Sequence, residues 1–193
     1  MKFIQFTSLF ILILCILSCR EKQPSSPTTA LSDKSIYQLA SNWKTQDGDS
    51  INIEALKGKV TVLAMIYTTC KAACPRLIAD LQRIESGLGE KKGAVHFVLI
   101  SMDPTNDPPE KLLQLAKDYQ LNTERWTLLT GDNNDVLEIA NVLDVRIRRD
   151  ADGDITDHSN LIFVVDKEGV ITHRQEGLSM PPDESIAAAS KLL

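Results

Sequence analysis

The sequence has no surplus of basic residues and no basic stripe or arm. Its 193 residues include 21 lysines and arginines against 26 aspartates and glutamates, which gives a net charge of −5 at pH 7. Because proteins with a general affinity for nucleic acid carry clustered positive charge, this composition argues against a nucleic-acid partner. The hydrophobic share of 43% and the charged share of 24% are ordinary for a globular domain.

Internal repeats and a second linker are also absent. Residues 21–35 are polar and rich in Ser, Thr and Pro, as is typical of a flexible tether. No comparable stretch interrupts the chain after it. We therefore expect a targeting segment (1–18), a tether (19–35) and one domain (36–193) that is long enough to bury a full core.

The N-terminus lacks an apolar run long enough to span a bilayer comfortably. Residues 3–17 follow a minimal positive start and are typical of a secretory signal peptide. The segment ends at Ser18-Cys19, which resembles a bacterial lipoprotein signal in which the cysteine receives lipid. We expect a lipid anchor on Cys19, with an uncleaved N-terminal anchor as the alternative. Either one places the domain outside the cytoplasm, membrane-anchored in the cell envelope on the periplasmic side.

Cysteines are few. Of the four, Cys15 lies in the segment to be removed and Cys19 would be lipidated, so Cys70 and Cys74 remain in the domain. Outside the cytoplasm such a pair forms a disulfide or binds a metal. Two cysteines cannot complete a structural zinc site, which has four ligands. Two soft sulfurs with a third ligand of nitrogen suit Cu(I).

Hydrophobic periodicity predicts an α/β domain with a thioredoxin-like fold, in which helices flank a central mixed sheet that begins with an N-terminal hairpin. The predicted elements are a hairpin (42–45 and 49–53), a buried strand (59–67), a helix (75–88), a strand (95–101), a helix (108–119), a strand (126–129), a helix (133–143), a hairpin (161–166 and 170–174) and a helix (183–193).

The two cysteines stand where a buried strand ends and a helix begins. Functional sites of open α/β sheets collect at that position, and a helix N-terminus stabilises thiolates. Three residues separate Cys70 from Cys74, whereas dithiol reductases of the thioredoxin type have two. The longer spacing leaves room for both sulfurs to converge on an ion.

The three histidines differ in their predicted positions. His96 begins a strand at the end away from the cysteines, which favours a structural role, and His173 is predicted on the surface of a hairpin. His158 lies in the loop before strand 161–166, which packs against the cysteine loop in a thioredoxin fold. Reductases usually place a cis-proline in that loop, and residues 157–160 contain none. A metal-binding imidazole is thus predicted beside the cysteines.

Four motifs together resemble the Sco/SenC family from residue 38 to the C-terminus. They are the Cys-x-x-x-Cys-Pro of 70–75, the Asp-Pro segments of 101–104 and 107–110, the segment 126–131, and Asp157-His158-Ser159. Members are copper-binding thioredoxin-fold proteins that assist assembly of the dinuclear copper centre of cytochrome c oxidase. The resemblance implies Cu(I) or Cu(II) bound to Cys70, Cys74 and His158, and an oxidase subunit or other copper protein as recipient. Lys71 and Pro108 depart from the family pattern, but neither is a ligand.

Three aspartates are candidates for supporting roles. Asp103 and Asp107 follow strand 95–101 at the site's end of the sheet, where they would support the site or contact a partner, or else form turns and cap a helix. For Asp107 we favour turn formation and helix capping. Asp157 would either orient His158 by a hydrogen bond or belong to a solvated loop.

Two functions remain open. One is a metallochaperone, a binding protein with no turnover of its own. The other is a thiol-disulfide oxidoreductase in which Cys70 and Cys74 are a redox-active pair that keeps a partner's copper-ligand cysteines reduced. His158 discriminates between them, because pure dithiol chemistry does not need it. A thiol peroxidase is disfavoured, since Leu63 and Ile66 occupy the positions of its motif.

Overall fold

The computed structural model describes residues 34–193. The predicted signal segment, Cys19 and the tether up to residue 33 lie outside the described residues. Ser35, which we assigned to the tether, is buried, caps a short 3-10 turn and pairs with Val170. Within the described range, no helix combines the length and the apolar character needed to cross a membrane.

The described residues form nine strands and four α-helices. In chain order these are β1 Asn42–Thr45, β2 Ser50–Asn52, β3 Val60–Ile66, α1 Ala73–Gly87, β4 Val95–Ser101, α2 Pro109–Asp118, β5 Trp126–Thr130, α3 Asn133–Val142, β6 Ile147–Arg149, β7 Ile155–His158, β8 Leu161–Val165, β9 Ile171–Glu176 and α4 Asp183–Lys191. All the predicted elements are present with small shifts of their ends. Strands β6 and β7 were not predicted.

Seven strands form one mixed sheet in the order β2-β1-β5-β4-β3-β8-β9. Strands β3, β4 and β5 are parallel neighbours, whereas β1, β8 and β9 join antiparallel. The last paired residues of β3 and β4 are Ile66 and Ser101. The loops that leave these two strands therefore start side by side, and one of them carries Cys70. The predicted thioredoxin-like α/β fold with a central mixed sheet is confirmed.

Strand β3 is buried along its whole length because both faces of the sheet are covered. Val62, Ala64 and Ile66 pack in a cluster with the apolar stripe of α1, and Leu63 and Met65 pack in a second cluster with α3. Burying a side chain of this size contributes about 1.5–3 kcal/mol. The strand is thus a rigid base for the residues that follow it.

Strands β6 and β7 form a separate two-stranded sheet between α3 and β8. Their residues are mostly exposed and charged, so hydrophobic periodicity does not reveal them. Cross-strand pairing instead holds them, with Ile147 opposite His158 and Arg148 opposite Asp157. His158 is therefore the last residue of a strand, and our assignment of it to a loop was wrong.

Candidate metal centre

Cys70 lies in the turn that follows β3, and its N–H donates to the carbonyl of Tyr67 at 3.3 Å. Cys74 is the second residue of α1 and is buried. Ala72, the residue before the helix, provides no side-chain cap. Instead the N–H of Cys74 donates to the Cys70 sulfur at 3.2 Å. The sulfur therefore satisfies one of the donors that a helix start leaves free.

The two thiols have opposite electrostatic environments. Burial raises the pKa of the Cys70 thiol, but the N–H and thiol of Cys74, the N–H of Ala72 and the ring of His158 outweigh burial and lower it from 9.0 to about 6. Burial also raises the pKa of Cys74, and the neighbouring Cys70 sulfur raises it further. At neutral pH the metal-free pair therefore consists of one thiolate and one thiol.

Two contacts hold the ring of His158. Its Nδ1 lies 3.0 Å from the carbonyl oxygen of Ser159. A carbonyl can only accept, so Nδ1 donates in this contact, and Nε2 is the ring nitrogen left for the cysteine side or a metal ion. The ring also meets Tyr67 edge to face, with centroids 5.6 Å apart and planes at 84°. Tyr67 thus touches the histidine with its side chain and the cysteine turn with its backbone.

Cys70, Cys74 and His158 converge on one point. One ligand atom from each lies within 4.8 Å of the other two, and both cysteines are free thiols. In zinc sites, sulfur and imidazole nitrogen bind at about 2.0–2.3 Å, so atoms on opposite sides of one such ion are about 4–4.6 Å apart. The group therefore has the dimensions to hold a single first-row metal ion after a small contraction.

Asp107 does not cap a helix, contrary to our expectation; α2 has no side-chain cap. Its carboxylate is fully buried and accepts from the Ser101 hydroxyl at 2.6 Å and from both the backbone N–H and the hydroxyl of Thr68. Burial raises its pKa. The carboxylate joins the loop after β4 to the turn that presents Cys70. The predicted parallel pairing of β3 and β4 could have indicated this contact from the sequence, because it places the segments after the two strands side by side.

Asp103 is buried and forms an ion pair with Arg149 of the β6–β7 hairpin. It accepts from the Asn106 amide at 3.0 Å and lies 3.6 Å from the Arg149 guanidinium. Arg149 also donates to the Met102 carbonyl at 2.6 Å and to the Gly153 carbonyl at 2.8 Å. This arginine, which sequence reasoning missed, ties the hairpin that carries His158 to the β4–α2 loop.

The other candidates lie apart from the convergent group. Asp157 is exposed, and in the described part of the chain the bond to Nδ1 of His158 is made by Ser159, not by Asp157. His96 lies 2.8 Å from the Thr127 hydroxyl, and burial lowers its pKa to about 4, which fits the structural role predicted for it. His173 is partly buried on β9, where we had expected a surface residue.

Comparison with known proteins gives one consistent result. The family model SCO1/SenC matches residues 33–193. A SCO1/SenC family lipoprotein from Bacillus anthracis is 27% identical, with a TM-score of 0.71 over 78% of this chain and 91% of that one. ScoI from Bradyrhizobium japonicum, solved with copper bound, is 25% identical, with a TM-score of 0.67 over 79% and 97%.

A third structure adds a functional description of a relative. BsSco, described as a member of the Sco family of cytochrome c oxidase assembly proteins with a disulfide switch, is 27% identical, with a TM-score of 0.68 over 78% of this chain and 90% of that one. Since the family model spans nearly the whole described domain, the chain belongs to the SCO1/SenC family.

Proposed function

We propose that this protein is a metallochaperone that binds one copper ion through Cys70, Cys74 and His158 and delivers it to the dinuclear copper centre of cytochrome c oxidase. The observation that carries the proposal is the convergence of two sulfurs and one imidazole nitrogen within 4.8 Å. The copper bound to ScoI and the oxidase-assembly role of the family of BsSco support the choice of metal and recipient.

The ligand set suits transfer as well as binding. Two thiolates favour Cu(I), and the imidazole accommodates Cu(II) as well. Cys70 and His158 are half-buried, whereas Cys74 is buried. A partner's ligand can therefore approach the ion from the Cys70–His158 side while Cys74 still holds it. Three protein ligands leave a coordination position for that exchange.

Copper titration of the reduced full-length protein, purified in neutral detergent, tests the proposal. We expect one Cu(I) per chain, and a loss of at least about tenfold in affinity for Cys70→Ser or Cys74→Ser, because a thiolate is the stronger ligand for Cu(I). His158→Ala should retain Cu(I) but lose Cu(II) and its copper–thiolate absorption. His173→Ala, which removes a histidine outside the group, is the matched control. Full Cu(II) absorption in His158→Ala would overturn the assignment.

Oxidation provides an independent test of the same ligands. A Cys70–Cys74 disulfide removes both thiolates, so the oxidised protein should not bind Cu(I). Protons compete with the metal for sulfur and nitrogen, so the affinity of the reduced protein should fall as the pH is lowered. Equal Cu(I) affinity of the oxidised and reduced proteins would show that the ligands lie elsewhere.

Thiol-disulfide exchange is a second candidate, favoured by the asymmetry of the dithiol. Cys70 is half-exposed with a lowered pKa, and Cys74 is buried behind it with a raised one. In this reaction the Cys70 thiolate attacks a partner disulfide and releases one partner thiolate. Cys74 then loses its proton, attacks the Cys70 sulfur and releases the second. The partner gains two electrons, and a Cys70–Cys74 disulfide forms.

Oxidase activity in cells that carry His158→Ala separates the two candidates. The chaperone proposal expects loss of activity, because the copper site is incomplete while the protein stays folded. The exchange reaction needs the thiols but not the imidazole. If exchange is the function, oxidase activity should be normal, or a deficient strain should be rescued by a permeant thiol and not by copper. Rescue by thiol alone would contradict the chaperone proposal and support thiol-disulfide exchange as the function.

A further inference from the structure

A cavity of about 250 Å³ lies beside the candidate metal centre. His158 forms part of its wall, so whatever fills the cavity lies next to a proposed metal ligand. The remaining wall comes from the β6 segment, the chain between β7 and β8, and the end of β9. It includes Arg146, Arg148 and Asn160. None of these three side chains takes part in the metal centre itself.

The two arginines of the wall are not neutralised. Both are exposed, and among the described residues neither guanidinium has an ion pair or a hydrogen bond. Other arginines of this region do find carboxylates: Arg149 lies by Asp103, and Arg174 by Asp144 and Glu176. Two free positive charges therefore sit on the wall of this cavity, in a protein whose net charge is −5.

Neither carboxylate of the wall forms an ion pair with these two arginines. Glu176 lines the cavity but lies 3.7 Å from Arg174. Asp157 also lines it, opposite Arg148 across the hairpin, but at more than ion-pair distance from either guanidinium. The wall thus carries two guanidiniums without an ion pair and one carboxylate without one, Asp157, while Arg174 is shared between Glu176 and Asp144.

Positive charge also flanks the cysteine side of the centre. Lys71 follows Cys70 directly, and Arg76 lies two residues after Cys74 in the first turns of α1. Both are exposed, and neither has an ion pair within residues 34–193. Unpaired cations therefore stand on both the cysteine segment and the histidine hairpin.

The cavity also contains an acceptor that needs a donor. The side-chain oxygen of Asn160 is buried and has no hydrogen-bond partner among the described residues. A buried acceptor without a partner is destabilising, and a bound N–H removes that penalty. A polypeptide offers both carboxylates for the arginines and N–H groups for Asn160. A phosphatidylglycerol headgroup also offers the arginines negative charge and Asn160 a hydroxyl donor, so vesicles of that lipid serve as the competing probe below.

We infer that the cavity, together with a cationic rim defined as Arg146 and Arg148 of its wall and Lys71 and Arg76 of the cysteine segment, is a docking surface for an acidic segment of the protein that receives the metal. This inference rests on the proposed function, because it identifies the partner of that same centre. Aspartate or glutamate side chains of the partner pair with the rim cations. Its backbone N–H reaches Asn160, and the partner's own metal ligands then lie next to His158. Attraction between opposite charges also speeds encounter.

Binding is tested on the copper-free, full-length protein in neutral detergent, so the result does not depend on metal. The probe is a fluorescent ten-residue peptide of alternating Glu and Ser, and its counterpart with Gln in place of Glu is the uncharged control. We expect saturable binding of the acidic peptide that weakens as salt is raised. Arg146→Gln with Arg148→Gln should weaken binding about tenfold, the effect of two exposed charge contacts.

The matched control is Lys91→Gln with Lys92→Gln, which removes the same charge from an exposed turn at the amino end of β4, the end of the parallel strands away from the metal centre. It should change binding less than about twofold. Equal weakening by both double variants, or no binding by the unmodified protein, would overturn the inference. So would stronger arginine-dependent binding to phosphatidylglycerol vesicles than to the peptide, which would assign the rim to a membrane.

A transfer assay separates this inference from the proposed function. The copper-loaded protein is mixed with the acidic peptide extended by a Cys-Ser-Ser-Ser-Cys acceptor. The arginine double variant should hold as much Cu(I) as the unmodified protein but transfer it about tenfold more slowly at low salt. Failure to hold copper in the unmodified protein would refute the proposed function and leave the binding result standing. Normal transfer by the double variant would refute the docking surface alone.

Discussion

At the scale of single residues, the two cysteines of this protein are not equivalent. Cys70 is half-exposed and accepts an N–H of the helix start, whereas Cys74 is buried inside the first turn. A bound metal ion requires both sulfurs as thiolates. Without metal, only Cys70 is an ion at neutral pH, so the first contact with copper or with a partner sulfur belongs to Cys70.

We predict that Cys70 of the reduced, metal-free protein is alkylated by iodoacetamide with a midpoint near pH 6, because its pKa falls from 9.0 to about 6 on folding. The lowered pKa also means that the thiolate stabilises the fold above about pH 9, and that this contribution is lost as the pH falls through 6. Lys71 separates the two cysteines, so tryptic peptides report each one by mass spectrometry.

The same protein in urea is the control for this measurement, since both cysteines should then titrate near their ordinary pKa. Cys74 should stay unmodified across the neutral range in the folded protein. A folded-state midpoint for Cys70 near 9 would contradict the electrostatic description of the site.

At the scale of elements, the site depends on the turn after β3, the β4–α2 loop and the β6–β7 hairpin, which are joined by a few polar side chains. Asp107 joins the loop after β4 to the turn after β3, and Arg149 joins the β4–α2 loop to the β6–β7 hairpin. The β4–α2 loop is therefore the common support for the cysteine side and the histidine side of the centre.

We predict that Asp107→Ala lowers the free energy of unfolding by about 2–4 kcal/mol, because it leaves the Thr68 N–H and two hydroxyls without their buried acceptor. Chemical denaturation of the metal-free protein measures this loss. Asp118→Ala removes an exposed carboxylate near the end of α2 and should cost less than about 0.5 kcal/mol. Equal stability of the two variants would mean that Asp107 does not anchor the turn.

We predict that Arg149→Ala loosens the hairpin and with it the position of His158. The amides of β7 should exchange with deuterium about fivefold to tenfold faster, since a partly exposed, charged hydrogen bond contributes about 1 kcal/mol. Arg148→Ala, on the same strand, is the control because its guanidinium has no partner in the described chain. Unchanged exchange in Arg149→Ala would show that strand pairing alone holds the hairpin.

At the scale of the whole molecule, the proposed function needs the domain to stand at the membrane that holds its recipient. Residues 34–193 form the folded domain, and the sequence predicts a targeting segment before it. Ser18-Cys19 indicates a lipid anchor, and the tether up to residue 33 would give the domain reach from the membrane surface. Arg20, in place of an aspartate after the cysteine, gives no signal for retention in the inner membrane.

We predict that the mature protein begins at a lipid-modified Cys19 and partitions with membranes. Cys19→Ala should prevent lipidation, while leaving the copper stoichiometry of the protein unchanged, because Cys19 precedes the folded domain. Mass spectrometry of the purified protein measures both the N-terminus and the lipid. Detection of an intact Met1 would contradict the lipoprotein assignment and support the uncleaved anchor.

The sequence by itself determined the sheet and the identity of the candidate ligands. Continuous apolar runs such as β3 and β4 can be stable only when covered on both faces, so their pattern specifies a central sheet without reference to distant contacts. Cys70 and Cys74 lie four residues apart at a strand-to-helix junction, and that local geometry follows from chain position. His158 was predicted beside them from its place before strand 161–166, and the resemblance to the Sco/SenC family implied the same ligand.

Only the tertiary structure decided how these residues are supported. The β6–β7 hairpin shows no hydrophobic periodicity. Strand pairing and the Arg149 contacts stabilise it, instead of a buried apolar face. Asp107 and Thr68 lie 39 residues apart in sequence and meet because parallel strands bring their carboxyl ends together. Which groups become neighbours also decides the hydrogen bond that Nδ1 of His158 donates to the Ser159 carbonyl, the lowered pKa of Cys70 and the free charges of Arg146 and Arg148. Sequence periodicity reports which residues are buried, but it does not report the partners of polar side chains.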